Sequence, residues 1–313
     1  MVADKKQAEK PAMLVNDHVA EASRKVFLGQ LLRMKAQEAG SRTGEDIESV
    51  HKMRVAVRRM RSLLRLVSEY HQSKTIAKTE KKLRQIARAL GAIRDLDVLI
   101  LELQHFSAAL SPDAQQQTNA LISRLERRRA KRRKRLNTFF DSKGYERSLR
   151  QLESFAENPG ERARRLKRPH EPHELRHVLP LLLHQRLARV RAYDTVLPAS
   201  DDKRLHALRV ECKRLRYALE FFAPVLGSSV DGFLALIKAM QDTLGRINDI
   251  AVFVSQLQGL DELSPEQAAL VEDYIASRNN ELIRLRSIFR DEWTRFNTRA
   301  VQRKFSDAVL VLR

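Results

Sequence analysis

The stretch "VHKMRVAVRRMR", Val50 to Arg61, sets valines and methionines at helical spacing and fills the gaps with cations. Val50, Met53, Val57, Met60, Leu64 and Val67 fall on one face of a helix. His51, Arg54, Arg58, Arg61 and Arg65 make a second stripe, displaced by one residue and therefore roughly 100° round the axis. Such a helix packs by one face and carries a row of positive charge at the shoulder of the core. Like charges at i, i+3 and i+4 weaken an isolated helix by about 0.2–0.5 kcal/mol per pair. A bound polyanion would repay that cost. The alternative is a solvated shoulder, with the arginine stems packed and the heads in water.

The pattern recurs. Residues 205–216 read "LHALRVECKRLR", and His206 lies 155 residues after His51. At the same offset Arg54 matches Arg209, Val55 matches Val210, Arg58 matches Lys213, Arg59 matches Arg214 and Arg61 matches Arg216. The second helix has its own apolar face, Leu205, Leu208, Cys212, Leu215 and Leu219, and its own basic row, which Glu220 ends. "LGAIRDLDV" (Leu90–Val98) then pairs with "LGRINDIAV" (Leu244–Val252) at offset 154, aligning Asp95 with Asp249. Gln30 pairs with Gln185, and Phe139 more loosely with Trp293. A period this long is not that of a solenoid, whose repeats run to roughly 20–50 residues.

The expected fold is all-α: two helical bundles of about four helices each, related by a pseudo-two-fold axis. Residues 1–20 are expected to be a flexible tail, 21–160 the first bundle, 161–175 a connector ("ERARRLKRPHEPHE" within it) and 176–313 the second bundle. Period-2 alternation is almost absent, and only 10 Gly and 9 Pro interrupt the helix formers. Connections are expected at 40–44, 72–75, 111–115, 158–172, 197–202, 226–231 and 260–265. Thr43-x-x-Asp46 has the form of a capping box before His51, and Asp201 with Asp202 opens the helix of His206.

The 313 residues carry 59 Lys+Arg against 39 Asp+Glu, a formal charge of +20, which points to a polyanionic partner. The single cysteine, Cys212, suits a reducing compartment, and "MVADKKQAEKPAMLV" lacks the apolar core of a secretory signal. No apolar run approaches the roughly 20 residues of a spanning helix. A cytoplasmic protein without a membrane partner is expected. A further basic run, "RLERRRAKRRKR" (Arg124–Arg135), has nine cations in 12 residues. It either projects into solvent or lines a positive cavity, with Arg128, Lys131 and Arg135 as its candidate anion contacts. Asp95 and Asp249 either orient a stripe residue or make plain helix–helix salt bridges.

The doubled H-x-x-R-V-x-x-[KR]-R-x-R motif, at His51–Arg61 and His206–Arg216, with the two L-G-x-x-[RN]-D blocks, resembles the CHAD family, the conserved-histidine α-helical domain. The resemblance spans roughly residues 15–313. It implies two four-helix bundles with basic residues lining a central groove or pore, and binding of inorganic polyphosphate, a ligand associated with bacterial polyphosphate granules. Carried over residue by residue, the implied contacts are His51, Arg54, Arg58, Arg59 and Arg61, with His206, Arg209, Lys213, Arg214 and Arg216; Arg65 extends the first row. Many relatives carry an N-terminal CYTH triphosphatase domain; this sequence shows no E-x-E-x-K strand motif and reads as a stand-alone member. Arg94 of the first block is Asn248 in the second, which departs from a shared role there.

The leading expectation is therefore a non-enzymatic polyphosphate binder with no cofactor and no metal. The runner-up is a nucleic-acid binder, for which the charge suffices. Against it, aromatics are only 6% and do not interleave with the basic residues as a stacking platform would. A histidine-dependent phosphate or metal enzyme ranks third. No Gly-rich phosphate loop is present, and cations surround both histidines. Oligomeric state is left open.

Overall fold

The computed structural model describes residues 12–158, 163–166, 170–197, 201–260, 263–310 and 312. Every regular element among them is helical. The first half holds α1 (Val19–Ala36), the short α2 (Glu38–Thr43), α3 (Ile47–Leu66), α4 (Ser73–Ser107), α5 (Pro112–Phe140) and α6 (Lys143–Glu157). The second holds α7 (Leu175–Arg191), α8 (Asp202–Leu226), α9 (Asp231–Gln258), α10 (Pro265–Phe296) and α11 (Arg299–Leu310). His51 and His206 are each the fifth residue of their helix, α3 and α8.

Local chemistry sets the boundaries, and it departs from the sequence reading in several places. Asp46, in extended conformation, accepts the Glu48 N–H at 2.8 Å and is itself the N-cap of α3. The expected Thr43 capping box does not form, because Thr43 ends α2 and Gly44 turns the chain at φ 71°. The expected connection at 40–44 is thus largely helical. Asp201 caps α8 through the Arg204 N–H at 2.8 Å, as its position suggested. Breaks at Asp141–Ser142 and Asn297–Thr298 split off α6 and α11, so each half has five principal helices rather than four among the described residues. The Ser142 hydroxyl, accepting from the Tyr145 N–H, starts α6 directly after α5, and the one glycine nearby, Gly144, is already inside the new helix.

The expected tail, residues 1–20, includes residues that the structure builds into the body. Val15 and Asp17 carbonyls accept the Arg176 and Leu175 N–H groups at 2.8 and 2.9 Å, and Val19 donates to His173. Val19 is fully buried, so the chain from Val15 onward belongs to the body. Residues 1–11 lie outside the described residues, as do 161, 162 and 167–169 of the expected connector. Arg164 of that connector donates to the Glu69 and Tyr70 carbonyls at 2.8 and 3.0 Å.

The predicted apolar faces form the core. Val50, Met53, Val57, Met60 and Leu64 of α3, and Val67 just after it, are at most 1% exposed, and Leu208, Cys212, Leu215 and Leu219 of α8 are at 0%. Each such side chain contributes roughly 1.5–3 kcal/mol by leaving water. The cluster they join runs through both halves without interruption. The halves meet where α3 packs on α8 and α1 on α7, and again where α5 packs on α10. A satellite cluster at the far ends of the long helices, Leu99, Leu103, Leu121, Leu125, Phe253, Leu257 and Tyr274, secures that second junction. Beside it Arg246 pairs with Glu102 at 3.1 Å and Glu281 at 2.6 Å, tying α4 to α9 and α10.

By length and composition alone, the helical run Asp202–Gln258 is long and apolar enough to cross a membrane, with an 18-residue window of mean hydropathy 1.4. It is not one rod. Gly227, at φ 66°, and the 3₁₀ turn Gly227–Val230 fold α9 back along α8, and the apolar residues of both helices supply the core.

Gly44 has a second constraint. A Cβ built there falls 0.4 Å from Nη1 of Arg133, which crosses the turn from α5. Gly44→Ala should lower unfolding stability by about 1–3 kcal/mol, from left-handed strain and the displaced guanidinium together. Chemical denaturation checks this; an unchanged midpoint would mean that neither constraint holds the α2–α3 corner.

Candidate functional site

The two basic rows meet at the α3–α8 junction. A cleft of about 760 Å³ opens there, walled by α3, α7 and α8 and closed at one side by α4 and α9. Arg54, Arg58, Arg61 and Arg65 reach it from α3; His206, Arg209, Lys213 and Arg214 reach it from α8. Arg186 and Arg189 enter from α7. In all, nine Lys and Arg side chains line the cleft against three carboxylates, Glu69, Asp95 and Asp249.

That imbalance is visible in the titration of the lining groups. Burial, followed by Arg209 and Arg58, pushes the Lys213 amine down to about 7. Arg54, Arg61, Arg186 and Arg209 are all lowered, in each case first by burial and then in part by neighbouring cations. The two carboxylates on the long helices only partly relieve this. Asp95 lies 3.5 Å from Arg54, and Asp249 lies 3.7 Å from Arg209. These are loose pairs between helices, at matching positions in the two halves. The Nε–H groups of Arg61 and Arg209 are buried without an acceptor. Arg58 donates its Nε–H to the Tyr217 hydroxyl at 3.0 Å, which fixes its fork at the seam.

Not every sequence candidate lines the cleft. Arg59 pairs with Glu220 across the α3–α8 seam and lies over the Tyr217 and Phe221 rings at 5.0 and 5.1 Å. Arg216 shares Glu220 at 3.6 Å and stacks on Tyr217 from 5.4 Å. Arg59 ties the two rows together, while Arg216 supports the same carboxylate from within α8. They follow the motif but point into the seam because Glu220 and two aromatics offer a desolvated partner there.

His51 also lies outside the lining. It sits beside Arg94, and its pKa is lowered by burial and then by that guanidinium. His206 is different: its Nδ1 hydrogen-bonds the Asn248 side-chain oxygen. The exchange of Arg94 for Asn248 thus gives the two histidines different neighbours.

Arg128, Lys131 and Arg135 are exposed on the outer face of α5, away from the cleft lining. The inward members of that run are Arg129 and Arg133. Arg129 pairs at 3.6 Å with Asp97, a carboxylate that is 1% exposed. Burial raises the Asp97 pKa, and Arg129 and Arg133 pull it back.

Sequence reasoning missed Arg186 and Arg189. Their counterparts 155 residues earlier, Leu31 and Met34, are core residues, so a search guided by the repeat carries no signal for them. Their spacing of three, one turn beyond the apolar Leu182–Leu183 pair, was the only local cue. Among the described residues no group of three or more His, Cys, Asp or Glu side chains could hold a metal ion.

Comparison with known proteins places this arrangement in a family. The CHAD-domain profile matches residues 25–258. Among solved structures, the CHAD domain from the plant Ricinus communis superposes with a TM-score of 0.70 at 24% identity, covering 90% of this chain and 95% of that one. PptA from Streptomyces chartreusis superposes with a TM-score of 0.68 at 14% identity, over 89% of this chain and 100% of that one. No curated protein matches the chain. Both structural matches are all but full-length and establish the fold, and the family match covers most of the helices that build the cleft. The chain belongs to the CHAD family.

Proposed function

We propose that this protein binds inorganic polyphosphate, without chemistry, along the cleft between α3, α7 and α8. The observation that carries the reading is the convergence of nine Lys and Arg side chains on one cleft whose lining holds three carboxylates, with Glu80 and Glu211 beside it pairing Arg65 and Arg214. The ligand is an unbranched chain of phosphates with no bases to read. Recognition of such a chain rests on charge-assisted hydrogen bonds from guanidinium forks and on release of counterions. Arginines presented from three helices offer successive subsites, so affinity should grow with chain length and fall steeply with salt. The cleft lining is poor in aromatics, with Tyr217 its one ring besides His206, and that disfavours base stacking as the main contact.

A competition titration at near-physiological salt tests the proposal. Labelled long-chain polyphosphate is displaced by unlabelled polyphosphate, single-stranded RNA or duplex DNA at equal charge. Strong preference for polyphosphate supports the reading; equal displacement by all three overturns it in favour of generic polyanion binding.

Two neighbouring arginines should separate contact from scaffold. Arg61→Ala removes a cleft donor that repels Arg65 and holds only a loose 3.8 Å pair with Glu80, so stability should change by no more than ~0.5 kcal/mol while affinity falls about 10–100-fold. Arg59→Ala breaks the Glu220 pair and two ring contacts, so unfolding stability should fall by about 1–3 kcal/mol with a much smaller loss of affinity. Denaturation and titration of both variants check the contrast, and the reverse assignment would move the binding row to the other side of α3.

Lys213 predicts a pH dependence with a definite sign. Its free pKa is depressed to about 7, and an adjacent polyanion raises it. Below pH 7 the amine is protonated with or without ligand, so affinity is at its plateau. Above that value binding must take up a proton, and affinity should fall as pH rises through the interval between the free and the bound pKa. Calorimetry in buffers of different ionisation enthalpy should show proton uptake near pH 8 that disappears in Lys213→Arg. Absence of uptake in the native protein would place Lys213 away from the ligand.

A further inference from the structure

The basic cleft does not end blindly at His206. A second depression of about 410 Å³ adjoins it, and His206, Asn248 and Val252 line both. Its character is opposite. Leu205, Leu244, Ile247 and Ala251 make apolar walls, and Val252 stands 43% exposed at the sill between the two spaces. From Asn248 to Gln256 the groove follows α9 for ~12 Å. His206 and Asn248 are its polar groups at the shared end, and Asp202, Lys203, Ser255 and Gln256 complete the lining. The Gln256 amide oxygen is buried without a hydrogen-bond partner. Asp202, ion-paired with Arg286, keeps acceptor capacity on its carboxylate.

The corresponding place in the first half is filled. Residues 154 positions before Ala251 and Asn248 are Asp97 and Arg94. Asp97 is buried beneath Arg129, which α5 lays over it. The counterpart of Arg129 at that offset is Ile283, which is 70% exposed and covers no such carboxylate. One half therefore closes this position with an ion cluster, while the other leaves an apolar groove beside a phosphate-sized row of cations.

Resting on the polyphosphate reading of the cleft, we propose that the groove accepts the nucleoside of a nucleoside oligophosphate whose phosphate chain lies along Arg209 and Lys213. A planar heterocycle suits the aliphatic walls. An exocyclic amine on it would satisfy the Gln256 oxygen, and ribose hydroxyls would donate to Asp202. An uncharged, hydrogen-bonding end group attached to a phosphate chain is the ligand class that uses both spaces at once. A purely inorganic chain leaves the groove empty and the amide unsatisfied.

The test compares two probes with equal numbers of phosphates, adenosine 5′-tetraphosphate and inorganic tetraphosphate, as competitors of labelled long-chain polyphosphate. The native protein should bind the adenosine probe about tenfold more tightly, the gain expected from burying some tens of Å² of apolar surface. Ala251→Phe, which fills the groove, should erase the preference and leave the inorganic probe unchanged. Gln256→Leu should reduce it, and decides the matter if Ala251→Phe loses its helical circular dichroism. Equal binding of both probes by the native protein overturns the inference, as does a preference that survives in Gln256→Leu and in folded Ala251→Phe. Long chains that bind while neither tetraphosphate competes also overturn it and leave the polyphosphate reading standing. Binding of the adenosine probe with no binding of long chains would do the reverse.

Discussion

Everything in this fold turns on holding two rows of like charge against each other. The α3–α8 seam brings Arg58 and Lys213 into one field, and unscreened repulsion there would drive the helices apart. Two things oppose it. One is the apolar face beneath each row, whose Val, Met and Leu side chains are withdrawn from water almost completely. The other is Glu220, which sits where the second row ends and gathers Arg59 and Arg216 over Tyr217 and Phe221. A charge pair among rings is desolvated, and removing either partner strands the other; the pair is therefore a specific lock for the seam more than a large source of net stability. Farther out, the junction of α5 with α10 and the Glu102–Arg246–Glu281 group hold the long helices together, so the cleft is bounded by contacts that do not themselves need a ligand.

A site assembled in this way is preorganised and uncomfortable. Four cleft arginines have lowered pKa values through burial and mutual repulsion, and Lys213 is brought to the edge of neutrality. The free protein carries that free-energy cost, and an anion in the cleft removes part of it. Asp95 and Asp249 fit the same account. At 3.5 and 3.7 Å from Arg54 and Arg209 they are too loose to neutralise the cleft. Of the two roles the sequence allowed, the one on view is the salt bridge between helices, α3 with α4 and α8 with α9.

Much of this was legible in the sequence because two periodicities coincide. The 3–4 spacing of Val50 to Val67 fixes which face is buried, and a one-residue displacement fixes where the cations go. Recurrence at offset 155 adds the pairing of His51 with His206 and of α3 with α8. What stayed hidden has a physical reason in each case. Arg59 and Arg214 occupy equivalent motif positions, but only Arg59 faces Glu220 and two rings, a distinction that depends on the partner helix. Arg186 and Arg189 replace core residues of the other half, so the repeat argued against them. The α5–α6 corner is a single Ser142 cap with α6 starting at the next residue, too short a break to interrupt the helical pattern. The run at Arg124–Arg135 could not be assigned from charge alone, because its inward members, Arg129 and Arg133, differ from their exposed neighbours only in meeting Asp97 and Gly44.

The divergence between the halves is concentrated around the histidines. In the first half Arg94, Arg129 and Arg133, all half-buried, gather round the buried Asp97 beside His51, and the space is filled. In the second, Asn248, Ala251 and Ile283 stand at those offsets, and His206 is left exposed with an amide for a partner. A buried carboxylate among three arginines costs desolvation that an apolar filling would not. Its presence on one side only means that the cost is not required by the fold, since α8, α9 and α10 pack without it. The first half uses charge to close the position and the second leaves it open next to the cations. The asymmetry is therefore a difference in what each half presents beside the cleft, built on helices that follow one another in the same order and rest on the same core.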